Sequence, residues 1–234
     1  MEFTIEARVF KQCIDAVVNL VDEGQFEFSK SGLHLRTMDP SQIAMIDFTM
    51  PSDAFEKFES EDLTVGVNLV DFSKILARAR PDEKLTVSFE EAESKFSLEF
   101  NGEGKRTFKM PVLDLGASSP KEPKIVFDSI VRIKGGYLKE MLKDAGLLSS
   151  HVVLSAKDES FFVEAHGDSG DLNIEAKKGP SVAEIKSSSD SRAMFPFEYL
   201  DDISRACPDE ELLEIHLKAD APVKVTYSIN KSKL

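Results

Sequence analysis

The sequence predicts an α+β protein built from two similar domains, each with an antiparallel sheet and two helices on one face of it. Three observations support this fold class. Strand-like segments alternate apolar and polar residues, four short segments have helical apolar spacing, and a six-residue pattern recurs half a chain later.

The strand predictions rest on alternation over short segments. Residues 32–38 (GLHLRTM) alternate apolar and polar side chains, and residues 44–50 (AMIDFTM) do so less strictly. Residues 85–89 and 96–100 also alternate, and the charged segment 90–95 between them is typical of a turn. These last two segments therefore predict a β-hairpin.

Four segments have apolar residues at the spacing of an amphipathic helix. In the first, Phe10, Ile14 and Val17 fall on one stripe. In the second, Phe72 and Leu76 share a face. The four predicted helices cover residues 8–21, 71–80, 137–148 and 196–206.

The two halves of the chain resemble each other. Residues 78–83 (RARPDE) end the second predicted helix, and residues 205–210 (RACPDE) end the fourth. At the same spacing of 127 residues, Phe72 matches Tyr199. A shared helix stop followed by a turn would explain one such match, but the order of helices and strands repeats as well. We therefore favour a duplicated domain.

A segment without helix or strand character lies almost at the middle of the chain. Residues 115–124 (LGASSPKEPK) combine small residues with two prolines, which cannot join the interior of a sheet. We expect an extended linker there. The predicted organisation is an N-terminal domain over 1–113, a linker over 114–126 and a C-terminal domain over 127–234.

Composition and spacing argue against several classes of protein. No apolar stretch approaches about 18 residues, so no membrane span is predicted. Cys13 and Cys207 are best explained as small buried residues in a reducing compartment, and the scattered histidines predict no metal site and no cofactor. Acid pairs such as Asp201 and Asp202 are expected by chance among 42 carboxylates, and Gly135 begins only a lone glycine pair. We expect no catalytic residue.

The net charge of −13 argues against nucleic-acid binding unless the basic residues are concentrated on one face. The four predicted helices hold eight basic and seven acidic residues, a small excess against an acidic remainder. Lys74 and Arg78 are four residues apart, as are Lys139 and Lys143, so each pair shares a helix face. The position of the basic residues is therefore more informative than their number.

Four segments carry a resemblance to a known family. They are 31–46 (SGLHLRTMDPSQIAMI), 65–76 (VGVNLVDFSKIL), 142–158 (LKDAGLLSSHVVLSAKD) and 195–208 (FPFEYLDDISRACP). In order and spacing they resemble the proliferating cell nuclear antigen family of sliding clamps over nearly the whole chain. The segments MDPSQ and FPFEYL are more similar to archaeal than to eukaryotic members.

The resemblance implies a ring-forming DNA-clamp fold, a homotrimer around duplex DNA with the sheets outside and the helices on the inner face. It implies a DNA polymerase processivity factor that catalyses nothing itself. Attraction to phosphate without base readout suits sliding. The residues expected to face DNA are Lys11, Lys74, Arg78, Lys139, Lys143 and Arg205.

The resemblance also implies a front-face pocket for short peptides of DNA polymerase, clamp loader, flap nuclease and ligase. The expected pocket residues are Met38, Ser41, Gln42, Ile43, Met45 and Pro222. Without the resemblance, the two methionines and the isoleucine would be interpreted as core. The linker wall has Ser118 and Pro120 where many members have apolar residues. The family usually continues beyond Leu234 with a strand and a tail, so we expect either a truncated chain or an unusual clamp.

The implied subunit contact joins an edge strand at 105–110 to one at 172–178 of the next chain, head to tail. Lysines at both edges would partly oppose each other. The expected interface residues are Lys105, Arg106, Thr107, Phe108, Lys109, Leu172, Asn173, Ile174, Glu175, Ala176 and Lys177. A heterotrimer subunit, or a clamp-fold scaffold that does not encircle DNA, is the alternative. The expected location is an archaeal cytoplasm, or the nucleus if the source is eukaryotic.

Overall fold

The computed structural model describes residues 1–116 and 120–234. Ser118, expected in the linker wall, lies outside the described residues. No helix in the described part of the chain has both the length and the apolar content needed to cross a membrane.

The described chain divides into two compact units. The first contains Met1–Lys121 together with Ile229–Leu234, and the second contains Glu122–Ser228. The final segment joins the first unit because Lys233 pairs with Thr49 in an antiparallel ladder. The ranges predicted from the sequence had assigned this segment to the C-terminal domain.

The first unit contains two antiparallel sheets. Its strands are β1 (Glu2–Glu6), β2 (Glu23–Ser29), β3 (Gly32–Met38), β4 (Met45–Pro51), β5 (Lys57–Glu59), β6 (Leu63–Asn68), β7 (Lys84–Glu90), β8 (Lys95–Asn101), β9 (Lys105–Pro111) and β19 (Ser232–Lys233). The boundary between the units falls inside the short strand β18 (Ser228–Ile229). One sheet has the order β5-β1-β7-β8-β9, and the other has the order β18-β19-β4-β3-β2-β6. The predicted hairpin is confirmed as β7 and β8.

Two helices pack against each other in the first unit, α1 (Ala7–Val18) and α2 (Leu69–Leu76). Both confirm predicted helices, although each begins and ends slightly earlier than expected. Phe72 of α2 is fully buried, and its ring centroid lies 5.9 Å from those of Phe10 and Phe26 in edge-to-face contacts. Such pairs each contribute about 1 kcal/mol beyond the area they bury, so they tie the helix pair to the sheet.

The second unit has the same architecture. Its elements are β10 (Ser129–Lys134), α3 (Gly135–Gly146), β11 (His151–Lys157), β12 (Ser160–Gly167), β13 (Gly170–Lys177), β14 (Val182–Ser187), β15 (Ser191–Pro196), α4 (Phe197–Arg205), β16 (Leu212–Leu217) and β17 (Lys224–Thr226). Its sheets have the orders β14-β10-β16-β17 and β13-β12-β11-β15. The helices α3 and α4 pack together and confirm the other two predicted helices.

The internal duplication predicted from the sequence is confirmed by the order of elements. Each unit runs strand, helix, five strands, helix and then further strands. The repeated six-residue pattern lies in equivalent places, because residues 78–83 follow α2 and residues 205–210 begin at the end of α4. Both copies therefore lie at, or just after, the end of the second helix of their unit and lead into the next strand.

Candidate functional site

The helix pair of the first unit carries Lys11 and Lys74, each beside an acidic partner. Lys11 is ion-paired with Asp15 one turn along α1. Lys74 Nζ lies 2.9 Å from Asp71 Oδ1 on α2, and both side chains are well exposed. Ser73 Oγ donates a 3.0 Å hydrogen bond to Asp15 Oδ1, which links the two helices. The two lysines are therefore held on a fixed helix surface.

The helix pair of the second unit repeats this arrangement. Lys143 Nζ lies 2.8 Å from Glu140 Oε1, and this hydrogen bond raises the pKa of Lys143. Arg205 pairs with Asp201 and lies 3.0 Å from Asp202 Oδ1. The hydrogen bond with Asp201 raises the pKa of Arg205 above its ordinary value. Both cations therefore stay charged throughout the physiological pH range.

Arg78 and Lys139 differ from the other predicted DNA-facing residues. Arg78 is exposed just beyond the end of α2. Lys139 is only 18% exposed, and its Nζ donates to the carbonyl oxygen of Cys207 at 2.6 Å and to Asp209 Oδ1 at 2.8 Å. Lys139 thus ties α3 to the segment after α4, and its charge is already used within the unit.

These basic residues can attract an anion without holding it tightly. Exposed ion pairs contribute about 0–1 kcal/mol, so a phosphate can replace the acidic partner at low cost. The acidic partners lie three or four residues from Lys11, Lys74, Lys143 and Arg205. In the sequence these acidic residues only reduce the net positive charge of the helices. The structure shows that each of them forms an ion pair with one of these four basic residues.

The loop between β3 and β4 is organised by Asp39, a residue that the sequence analysis did not select. Its side chain is 5% exposed, and Oδ1 accepts hydrogen bonds of 2.7 Å from the backbone N–H groups of Ile43 and Ala44. Its Oδ2 accepts a third, of 3.0 Å, from Ser41 N–H. An acidic residue in a turn, followed closely by residues with free N–H groups, is the sequence signal for such a loop.

This loop presents the expected pocket residues of the first unit. Met38 pairs with Met45 at the ends of β3 and β4, so their side chains share one face of the sheet. Ile43 is 62% exposed, which excludes the alternative that it is a core residue. Ser41 and Gln42 are exposed beside it, and Gln42 has φ of 57°. Pro222, the remaining expected pocket residue, is exposed between β16 and β17 of the second unit.

The two expected interface strands are both edge strands. β9 lies at one edge of its sheet and β13 at one edge of its own. In β9 the exposed residues are Lys105, Thr107, Lys109 and Pro111, with Arg106, Phe108 and Met110 less exposed. In β13 the exposed residues are Asp171, Asn173, Glu175 and Lys177, with Leu172, Ile174 and Ala176 less exposed. Each edge thus has one apolar and one polar face.

Arg106 is directed into its own unit rather than outward. Its guanidinium lies 2.5 Å from Glu83 Oε2 and 3.1 Å from the carbonyl oxygen of Arg78, and it covers the ring of Phe100. It therefore anchors β9 to the segment that follows α2. Within residues 1–116 and 120–234, no group of His, Cys, Asp and Glu side chains is arranged to hold a metal ion.

The two-unit α+β architecture with paired helices and antiparallel sheets defines a DNA-clamp fold. Residues 2–117 match the family described as proliferating cell nuclear antigen, N-terminal domain, and residues 121–234 match its C-terminal domain. The chain belongs to the proliferating cell nuclear antigen (PCNA) family, whose members are non-catalytic processivity factors.

Known relatives and structures agree with this assignment. The chain is 35% identical to a DNA polymerase sliding clamp of Methanococcus maripaludis, over 99% of this chain and 94% of the relative. PCNA from Thermococcus kodakaraensis has the same fold, with a TM-score of 0.93, 23% identity, and 99% and 96% of the two chains covered. PCNA of A. fulgidus, solved with the C-terminal region of FEN-1 bound, has a TM-score of 0.90 and 24% identity to this chain. The match covers 99% of this chain and 94% of the A. fulgidus chain.

Proposed function

We propose that the chain is a subunit of a ring-shaped DNA polymerase sliding clamp that encircles duplex DNA. The observation that carries the proposal is the match to sliding clamps across both units, at 35% identity over 99% of the chain. The chain itself performs no catalytic step in this role. We place it in the cytoplasm of an archaeal cell, because the related clamp belongs to an archaeon.

Ring closure would join β9 of one copy to β13 of the next. The exposed face of β9 offers Lys105 and Lys109, and that of β13 offers Asp171 and Glu175. Lysines of β9 would therefore meet acidic residues of β13 across the new ladder, while Lys177 of β13 would oppose them in part. The unpaired backbone groups of both edges would be hydrogen-bonded to each other. Such a contact is heterologous, so it stays soluble and finite only when it closes into a ring.

The proposed DNA contact is electrostatic and independent of sequence. Lys11, Lys74, Lys143 and Arg205 would attract phosphates through the exchange of ion partners described above, and the exposed Arg78 would add its charge to theirs. We assign Lys139 to the same face but with a positioning role, since its ammonium group holds the end of α4. Weak contacts of this kind allow a ring to move along DNA, while closure of the ring prevents it from leaving the DNA.

The proposed peptide site would recruit polymerase, clamp loader, flap nuclease and ligase. Met38 and Met45 offer an adaptable apolar surface on one face of the sheet, and Ile43 stands exposed beside them. Ser41, Gln42 and Pro222 are assigned to the same site on the resemblance to the family. The FEN-1 segment bound to the PCNA of A. fulgidus is the kind of ligand expected.

The experiment that tests the function combines mass and activity. Light scattering should give about three times the chain mass of 26.0 kDa. With the polymerase and clamp loader of a related archaeon, the trimer should lengthen products on primed circular DNA. A chain that stays monomeric and never raises processivity would exclude the proposal. A monomer that assembles only with a second clamp protein would favour a heterotrimer subunit instead.

A further inference from the structure

The sheet that carries the proposed peptide site has one buried face and one outer face. Leu33 and Leu35 of β3 are 1% and 0% exposed, so they lie in the core. Because side chains alternate along a strand, Arg36 and Met38 lie on the opposite face, and Met45 faces Met38 across the ladder. The peptide site therefore lies on the outer face of this sheet.

Gln25 and Gly66 lie on the same outer face, on the neighbouring strands β2 and β6. Their neighbours Phe26 and Val67 are buried, and the two residues are partners across the ladder. Since β2 separates β6 from β3, about 10 Å lies between the strand of Gly66 and that of Met38.

The first residues of the linker contact the edge strand β6 at Gly66. Leu113 N–H donates a 2.9 Å hydrogen bond to Gly66 O, and the two residues form an isolated antiparallel bridge. A Cβ atom on Gly66 would lie 2.3 Å from the carbonyl oxygen of Leu113 and 3.0 Å from Leu115 Cγ. The φ angle of Gly66 is outside the left-handed region. The approach of the linker, and not the local backbone, therefore requires glycine here.

Gln25 holds the linker at a second point. Its Nε2 donates a hydrogen bond to the carbonyl oxygen of Gly116, three residues beyond Leu113. Gly116 has φ of 69°, so the chain changes direction at this contact. Two anchors this close together fix residues 113–116 against the outer face of the sheet.

Resting on the proposed function, we propose that Gly66 and Gln25 are positioning residues for the peptide site. They hold residues 113–116 as a fixed wall, and Met38 and Met45 form the opposite side of the groove. A wall that is already ordered spares a bound peptide the entropy cost of ordering it. Both residues act through the linker, so their substitution should change peptide affinity without changing the ring.

The test compares Gly66→Ala with Gly104→Ala, where an added Cβ meets no atom within 4 Å. The probe is a synthetic peptide of the FEN-1 C-terminal region seen on the PCNA of A. fulgidus. Gly66→Ala should speed hydrogen exchange in the segment containing Leu113 and weaken peptide binding about tenfold or more, because the wall must move. The control should change neither, and both variants should remain trimeric in light scattering.

A second variant, Gln25→Glu, keeps the side-chain size but removes the donor to Gly116. It should weaken peptide binding about fivefold, the effect of one lost net hydrogen bond. This variant decides the question if Gly66→Ala does not fold. Unchanged affinity in the folded variants would overturn the positioning role alone. A wild-type ring that binds no peptide would overturn the proposed peptide site and this inference with it.

Discussion

Arg106 and Glu83 form an ion pair in which the carboxylate is almost completely buried. The nitrogen–oxygen distance is 2.5 Å, and the Glu83 side chain is 4% exposed. The same carboxylate accepts a 2.7 Å hydrogen bond from Arg80 N–H at the end of the helix segment. Removing one partner of a buried ion pair costs more free energy than the intact pair contributes to stability, because the remaining charge is left buried without a partner.

Glu83→Gln should therefore destabilise the first unit by about 2–4 kcal/mol, since it leaves the Arg106 guanidinium without a charged partner. The equivalent residue of the repeat, Glu210, is 85% exposed and pairs with Lys134 at the surface. Glu210→Gln should change stability by less than about 0.5 kcal/mol. Urea denaturation of both variants makes the comparison. Equal effects would mean that the buried pair does not stabilise β9.

Lys139→Met should destabilise the second unit by about 1–2 kcal/mol, because it removes a charge-assisted hydrogen bond to the carbonyl oxygen of Cys207. The matched control is Lys143→Met, whose side chain is 64% exposed. That control should leave the melting temperature almost unchanged. If Lys143→Met proves as destabilising as Lys139→Met, the positioning role of Lys139 is wrong.

Replacing Lys74 and Lys143 together by Glu should impair loading or sliding on DNA while the trimer stays intact. Each subunit would lose two phosphate contacts and gain two repulsive charges, and the salt dependence of retention on DNA should weaken. Lys30→Glu, at an 80% exposed site on the β2–β3 turn, is the control. Product length on primed circular DNA measures the effect. Loss of the trimer would show that these helices face a subunit contact instead.

Asp39→Ala should loosen the β3–β4 loop, because three backbone N–H groups would lose their acceptor. We expect about a tenfold loss of peptide affinity, since the loop that carries Ile43 would have to reorder on binding. Glu61→Ala, at a side chain that is 89% exposed and outside the proposed peptide site, serves as the control. Fluorescence anisotropy with a labelled FEN-1 peptide would measure both. Equal affinities would separate the loop conformation from peptide binding.

The two thiols should be unreactive in the folded protein. Burial raises the pKa of Cys13 to about 11 and that of Cys207 to about 12, so very little thiolate exists at pH 8. Ellman's reagent should react with neither in buffer and with both in denaturant. Because each folded pKa lies above its ordinary value of 9.0, this contribution to stability is complete below pH 9 and is lost as pH rises towards 11–12. Rapid labelling of the native protein would contradict the burial.

The sequence predicted the repeated architecture because periodicity and burial are linked directly. Phe10 and Ile14 are fully buried, as their helical spacing predicts. The alternating residues 85–89 form a strand that pairs with β8 in an antiparallel ladder. The helix ends were predicted less well, because they depend on caps such as Asn68, whose side chain accepts from Asp71 N–H.

Contacts between distant segments could not be predicted from the sequence. The inward position of Arg106 depends on Glu83, and the need for glycine at position 66 depends on Leu113. Neither follows from local propensity, since each concerns residues more than 20 positions apart. The loop around Asp39 is the exception, because its turn chemistry is local and can be predicted from the sequence.

The pairing of β19 with β4 affects how the chain is made. During synthesis, residues 1–121 emerge from the ribosome long before residues 229–234, which belong to the same compact unit. Until then Thr49 and its neighbours lie on an open strand, although the rest of their sheet can already fold. The second unit thus acts as an insertion that must be translated before the first is complete. Nascent chains stalled before residue 229 would therefore need protection from aggregation at the unpaired edge of β4.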